Sequence, residues 1–456
     1  MVYLLDNGSL CHPKPNHWLQ YILLMADHTN RRRFLTALGA SSVTLAAGCT
    51  DQFPDDVLSG DEENGDGETA PVGDTDDQDV TPPAIDHGDV VDDFEDLEEW
   101  TALDGDLTPD EDEALIGSQA PRIENTGNTA GMFRAYPDGL DLSGHHLSLA
   151  VQVENPRPVG VTVRILAPGE ADQLESTRTI VDTYEGWLRM DVGYTNQRGE
   201  PLLDDVQEIQ VLVETQEDDD EEIRFWVDDL RMTPQADQGY VMLTFDDGTE
   251  SQYENAFPLL EERDMQAVAA VVPDSLNRED RLSVDHLREM RDAGWDISSH
   301  PEGDAFMELD DTDAIRQDIE SAHEYLDNRG FPEGARHMFV PYHNTNEAIV
   351  EITREYHELS SYFGGTPNAV PFTDPLHLSR VDMHDIDGFA SLIDMAEEHN
   401  QLAIGLAHGV VDEDEIDDDP LADMTIDELE ELLDYIEESD VEVVTASHLI
   451  DNQDDL

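Results

Sequence analysis

The chain has 456 residues, more than one domain of roughly 100–200 residues accounts for, so two or three units are expected. Apolar residues make up 38% and aromatic residues 7%, which excludes wholesale disorder. With 108 acidic against 23 basic residues, net −85, the chain is no nucleic-acid binder, which needs clustered Lys and Arg, and anionic membrane surfaces are equally poor partners for its folded part.

Lys14 is the single lysine, and the other 22 basic residues are Arg. From Cys49 onward the chain holds 106 carboxylates and 19 Arg, net −87. Such a chain repels itself in dilute buffer, whereas molar salt, with a Debye length of about 3 Å, removes most of that cost. Acidic residues run through every segment rather than one tail, which points to an extreme-salt environment.

In chain order, residues 1–49 read as an address. Asn30-Arg31-Arg32-Arg33-Phe34-Leu35 is a charged n-region, followed by a short apolar stretch and a small-residue end at Cys49. The stretch is too short and too polar to span a bilayer permanently. Its paired arginines resemble a twin-arginine export signal. Leu45-Ala46-Ala47-Gly48-Cys49 resembles a lipobox, which makes a lipid on Cys49 the expected and sole membrane attachment, although Ala46 stands where Leu is usual. Residues 1–24 fit no export logic, so Met25 is read as the start. Cys11 and Cys49 are the only cysteines, so no disulfide is expected inside the folded region. Residues 50–88 hold 13 acidic and no basic residues, without apolar periodicity; they bury too little to offset chain entropy and read as a disordered acidic tether.

From 89 to 234 the pattern is β. Alternating runs occur at Leu147–Val153, Val161–Leu166, Trp187–Val192, Ile209–Val213 and Ile223–Leu230, separated by Gly, Pro, Asn and Asp. Period-two alternation with turn signals argues an antiparallel sandwich. The opening Val91–Trp100 and the closing Phe225–Leu230 resemble the first and last strands of jelly-roll carbohydrate-binding modules. That resemblance implies glycan binding; the alternative is a packing domain. Trp100, Trp187 and Trp226 stand as either sugar platforms or core.

From 238 to 452 β and α alternate. Strands are expected at Tyr240–Phe245, Ala267–Val272, Trp295–Ser299, His337–Val340, Leu402–Ala407 and Val441–Thr445. Helices are expected at Gln252–Arg263, Val284–Ala293, Asp313–Arg329, Glu347–Glu358, Asp387–His399 and Ile426–Glu438. Repeated βα units predict a parallel barrel or sheet, with reactive groups just beyond the carboxyl ends of the strands. Asp246-Asp247-Gly248, His300, Pro341-Tyr342 and His408 all occupy such strand ends.

Thr244-Phe245-Asp246-Asp247-Gly248, Gly294-Trp295-Asp296-Ile297-Ser298-Ser299-His300, Phe339-Val340-Pro341-Tyr342 and Leu406-Ala407-His408 resemble the ordered motifs of the polysaccharide deacetylases, carbohydrate esterase family 4, the NodB-homology group. The resemblance spans Tyr240 to Leu449. It implies a multi-domain chain, a jelly-roll sandwich followed by a deformed (β/α) barrel, and metal-dependent removal of acetyl groups from the amino sugars of a cell-surface or extracellular polysaccharide, a hydrolysis at a non-peptide carbon–nitrogen bond. Carried over, Asp246 is the general base and Asp247 and His300 are metal ligands. The Tyr342 N–H helps hold the oxyanion, and His408 is the general acid. A divalent ion, zinc by the resemblance, polarises the acetyl carbonyl and acidifies water.

Three departures matter. Asp304 stands where the family places its second metal His. A carboxylate can bind zinc, but two Asp and one His make a harder site that suits manganese or cobalt; Glu302 and His343 are alternative donors. Phe339 occupies the place of an Arg that tunes the base, leaving Arg380 to supply that charge. His343 replaces a usual Gly. The alternative function is a catalytically inactive, glycan-binding surface protein that keeps the fold. The glycan and the oligomeric state are not fixed by these residues.

Overall fold

The computed structural model describes residues 87–215, 222–303, 305–307, 309, 311–416 and 422–453. The export signal with Cys49, the tether up to residue 86, and Asp304 lie outside the described residues. The sandwich and the barrel belong to one compact unit, Asp79–Leu456.

The sandwich has two antiparallel sheets. One runs Asp106–Asp110, Ala120–Asn125, Ile223–Pro234, His145–Asn155, Leu188–Asp191, with Asp89–Asp92 also paired to Ile223–Pro234. The other runs Asn196–Arg198, Asp172–Ile180, Val159–Gly169, Val206–Glu214, Thr129–Leu140, Trp100–Asp104. The alternation in sequence becomes an inward face: Leu147, Leu149, Val151 and Val153 meet Val161, Val163 and Ile165 in one core. Trp100 and Trp226 resolve to the buried alternative, at 4% and 5% exposure. Their indole N–H groups donate to Asp92 (2.8 Å) and Asp110 (3.2 Å), as buried Trp requires. Trp187 is half-buried.

The second half is a closed barrel of seven parallel strands: Gly239–Asp246, Val268–Val271, Asp296–Ser299, His337–Phe339, Leu359–Phe363, Leu378–Asp382 and Gln401–Ala407, the last pairing back to the first. Helices cover it, among them Val284–Asp292, Thr312–Asn328, Glu347–Tyr356, Ile386–His399 and Ile426–Glu438. Strands Leu359–Phe363 and Leu378–Asp382 extend the sequence reading. The helix expected from Gln252 starts as a π-turn, Gln252–Ala256, before the short α-helix Phe257–Glu261. Strand Val441–Val443 lies beside Gly239–Asp246, outside the closed ring.

The two halves share structure. Val350 and Leu376, from the barrel, sit in the sandwich core. Asp191 accepts from the Thr373 backbone N–H (3.1 Å) and hydroxyl (2.7 Å), and the buried Arg178 guanidinium donates to the His377 carbonyl (2.7 Å). Backbones close in directly: a Cβ on Gly193 would lie 1.9 Å from the Pro367 carbonyl oxygen.

Candidate active site

Strand Gly239–Asp246 is buried along its whole length and carries Asp246 to its carboxyl end. The chain then turns sharply, with Asp247 at φ 71° and Gly248 at φ 64°. Adjacent carboxylates thereby separate. Asp246 is 2% exposed, whereas Asp247 is half-exposed.

Arg380, 1% exposed, reaches Asp246 from strand Leu378–Asp382. Its two terminal nitrogens donate to the two carboxylate oxygens at 2.9 and 2.7 Å, a bidentate pair. Burial alone would raise the Asp246 carboxyl. The Arg380 guanidinium, helped by the His300 and His408 rings, outweighs it and holds Asp246 at about 2. The missing charge at Phe339 is thus supplied by Arg380, whose guanidinium carbon also lies 5.4 Å from the Phe339 ring centre.

His300 ends strand Asp296–Ser299. Its Nδ1 lies 2.7 Å from the Phe339 carbonyl oxygen, which can only accept, so Nδ1 carries the proton. Nε2 lies 3.6 Å from Asp247 Oδ1. An imidazole nitrogen and a carboxylate oxygen side by side, the ring fixed by a backbone carbonyl, is the donor chemistry a divalent cation takes. Among the described residues no third His, Cys, Asp or Glu joins them into a metal-holding group. Glu302 is exposed, and His343 spends its Nδ1 accepting from the Phe363 N–H (3.2 Å). Burial, with the Arg380 charge, pushes the His343 ring down to about 3, so it is neutral.

His408 follows strand Gln401–Ala407. Asp423 clamps it twice: one oxygen accepts from the His408 backbone N–H (2.9 Å), the other from Nδ1 (2.6 Å). Burial would lower this ring, but the Asp423 bond and charge, with Asp246 and Asp247, lift it to about 9. Nδ1 is committed to Asp423, which leaves Nε2 as the proton donor. Tyr342 follows strand His337–Phe339 at φ 54°, a strained backbone for a bulky residue. Its side chain is 52% exposed and passes over Gly303, where a Cβ would lie 2.5 Å from the ring.

Two contributors were missed by sequence reasoning. Asp423 is one of 108 acids and lies on the short strand Ala422–Thr425, so nothing marks it. Gln252 is fully buried on the π-turn and donates from its one amide nitrogen to the carbonyls of Asp246 (2.6 Å) and His408 (3.0 Å), tying two strand ends together. A π-turn at such a place is a recurrent feature of functional sites.

Residues 233–357 match the family model described as Polysaccharide deacetylase. The protein named "Putative polysaccharide deacetylase YxkH" of Bacillus subtilis (strain 168) is 33% identical over 60 residues, 13% of this chain and 22% of that protein; the chain thus matches about a fifth of that relative's length. Among solved structures, the Xyl-CE4 domain of a multidomain xylanase from the hindgut metagenome of Trinervitermes trinervoides aligns over 48% of this chain and 92% of its own, at 14% identity and TM-score 0.35. The family 11 carbohydrate-binding module of a Clostridium thermocellum cellulase aligns over 32% of this chain and 94% of its own, at 15% identity and TM-score 0.26.

Proposed function

We propose that this chain, which carries a polysaccharide deacetylase domain, is a hydrolase that removes acetyl groups from a polysaccharide. The observation that carries the reading is the convergence of a buried, Arg-paired carboxylate, an Asp–His donor pair and an Asp-clamped histidine at the carboxyl ends of neighbouring barrel strands.

Asp246, kept ionised by Arg380, takes the proton of the attacking water. The Tyr342 N–H faces the oxygen on which negative charge develops; one such donor contributes about 2.7–4 kcal/mol. His408, an imidazolium held by Asp423, gives its Nε2 proton to the departing amine. Asp247 and His300, with Asp304 as third donor, would hold a divalent cation, which when bound would polarise a carbonyl and acidify water. In this reading residues 30–49 act as an export signal and Cys49 carries a lipid anchor, so that the protein works at the outer face of the cell in a high-salt medium.

The test uses protein stripped with EDTA and returned to molar salt. Equilibrium dialysis should show one Zn²⁺ bound per chain and none in Asp247→Ala; metal retained by that variant rules out the donor pair. Asp246→Asn should keep the metal yet release no acetate from acetylated amino-sugar oligomers. Unchanged turnover there removes Asp246 as the base.

A further inference from the structure

The segment that carries Tyr342 is unusual. Tyr342 and His343 stand in succession at φ 54° and 59°, a conformation that bulky residues keep only when their surroundings enforce it. Part of the enforcement comes from the barrel. His343 accepts from the Phe363 N–H, and the Asn344 side chain donates to the Phe306 carbonyl (2.9 Å). Another part comes from the sandwich.

The loop between strands Asp172–Ile180 and Leu188–Asp191 crosses to the barrel at this point. The Thr183 hydroxyl donates to the Thr345 carbonyl (2.8 Å) and accepts from the Thr345 N–H (3.2 Å), so one side chain satisfies both main-chain groups of a residue that is 1% exposed. Val181 packs on the cluster that holds Val340, the residue entering the turn. The Trp187 N–H donates to Glu347 (3.1 Å), the first residue of helix Glu347–Tyr356, directly after the turn. Gly186 has no Cβ to obstruct it; a Cβ there would lie 1.8 Å from the Glu347 carboxyl carbon. Hydrogen bonds from one sandwich loop therefore hold the chain just after Tyr342, at Thr345 and Glu347, while Val181 of the same loop packs on the cluster that includes Val340.

We infer that the sandwich sets the position of the Tyr342 backbone through residues 181–187, with Thr183 as the positioning residue, so that the accessory domain is part of the machinery of turnover. The inference rests on the deacetylase reading for the task of Tyr342. The mechanical link itself stands on the contacts alone.

Thr183→Val keeps the shape and removes both hydrogen bonds, leaving two buried polar groups of Thr345 without a partner. Thr183→Ser restores them. Hydrogen–deuterium exchange of the full chain in molar salt should show peptides covering 341–346 exchanging about tenfold faster in Thr183→Val, with the sandwich strands unchanged. On acetylated amino-sugar oligomers kcat should fall about tenfold while KM stays within about twofold, since a transition-state contact is lost and substrate binding is not. Thr183→Ser should match wild type in both measurements. Unaltered exchange at 341–346 overturns the proposal whatever the activity. Faster exchange with full kcat also overturns it, because the grip would then not serve turnover. A wild type that releases no acetate refutes the deacetylase reading, and the exchange comparison then decides the link by itself.

Discussion

Arg380→Met removes the guanidinium from a carboxylate that is almost wholly buried. Both partners are essentially buried, at 1% and 2% exposure, and are joined by two bonds at 2.9 and 2.7 Å. Breaking such a pair from one side costs about 3–5 kcal/mol, because the remaining charge stays buried and unpaired. Unfolding entropy of about 2.1 cal/mol/K per residue, over roughly 360 described residues, gives about 0.75 kcal/mol/K. The expected fall in Tm is therefore about 4–7 °C. Removing the charge as well, in Arg380→Met with Asp246→Asn, should recover at least about half of that loss, since replacing both partners is far cheaper than removing one. Scanning calorimetry in molar salt, on metal-free protein, measures Arg380→Met, Asp246→Asn and the double variant. A single variant melting within about 1 °C of wild type, or a double variant melting at the sum of the two single losses, would refute the idea that Arg380 offsets the burial of Asp246.

The His408 ring, lifted to about 9 by Asp423 against the effect of burial, is an imidazolium below that pH and loses its proton above it. Turnover that needs the acid should fall as pH rises through about 9, and Asp423→Asn should move that limb toward the ordinary value near 6.5. Because the folded value is raised, the pair also adds stability that is full below about 6.5 and fades as pH climbs through about 9. A kcat/KM profile whose alkaline limb ignores the substitution would show that Asp423 does not set the titration. At the junction of the halves, Gly193→Ala would push a Cβ to 1.9 Å from the Pro367 carbonyl oxygen, with backbone on both sides and no flexible group to yield. It should cost more than about 2 kcal/mol, read as a lower Tm, whereas Gly169→Ala, with no atom within 4 Å, should melt as wild type. Equal melting of the two variants would mean that the junction is loose.

Much of the site could be read in the residues because a parallel barrel confines chemistry to strand ends. Asp246, Asp247, His300, Tyr342 and His408 stand at strand ends as that rule requires, their roles coming from the resemblance to the polysaccharide deacetylases, and Arg380 was singled out by the charge that Phe339 leaves unsupplied. The gaps have physical causes. Strand Leu359–Phe363 is Leu-Ser-Ser-Tyr-Phe, whose serines hide its burial in a hydropathy reading, although Ser361 is fully buried. Strand Leu378–Asp382 carries Ser, Arg and Asp for the same reason: its polar residues face partners rather than water. Asp423 stands well beyond His408 in the chain, on strand Ala422–Thr425, and no motif ties the two together. Gln252 works through a side chain bonded to main-chain carbonyls, which leaves no complementary residue to notice. The tryptophans were ambiguous because an aromatic ring on a sandwich strand looks alike whether it faces sugar or core; only burial separates the cases for Trp100 and Trp226.

Val350 and Leu376 belong by sequence to the barrel yet fill the interior of the sandwich. A cut anywhere in the short join between residues 234 and 239 would therefore strip one fragment of part of its own hydrophobic filling and leave apolar side chains bare on the other. The halves should melt together in a single transition, and neither can be transplanted as a cassette onto a foreign scaffold without carrying a patch of its neighbour along.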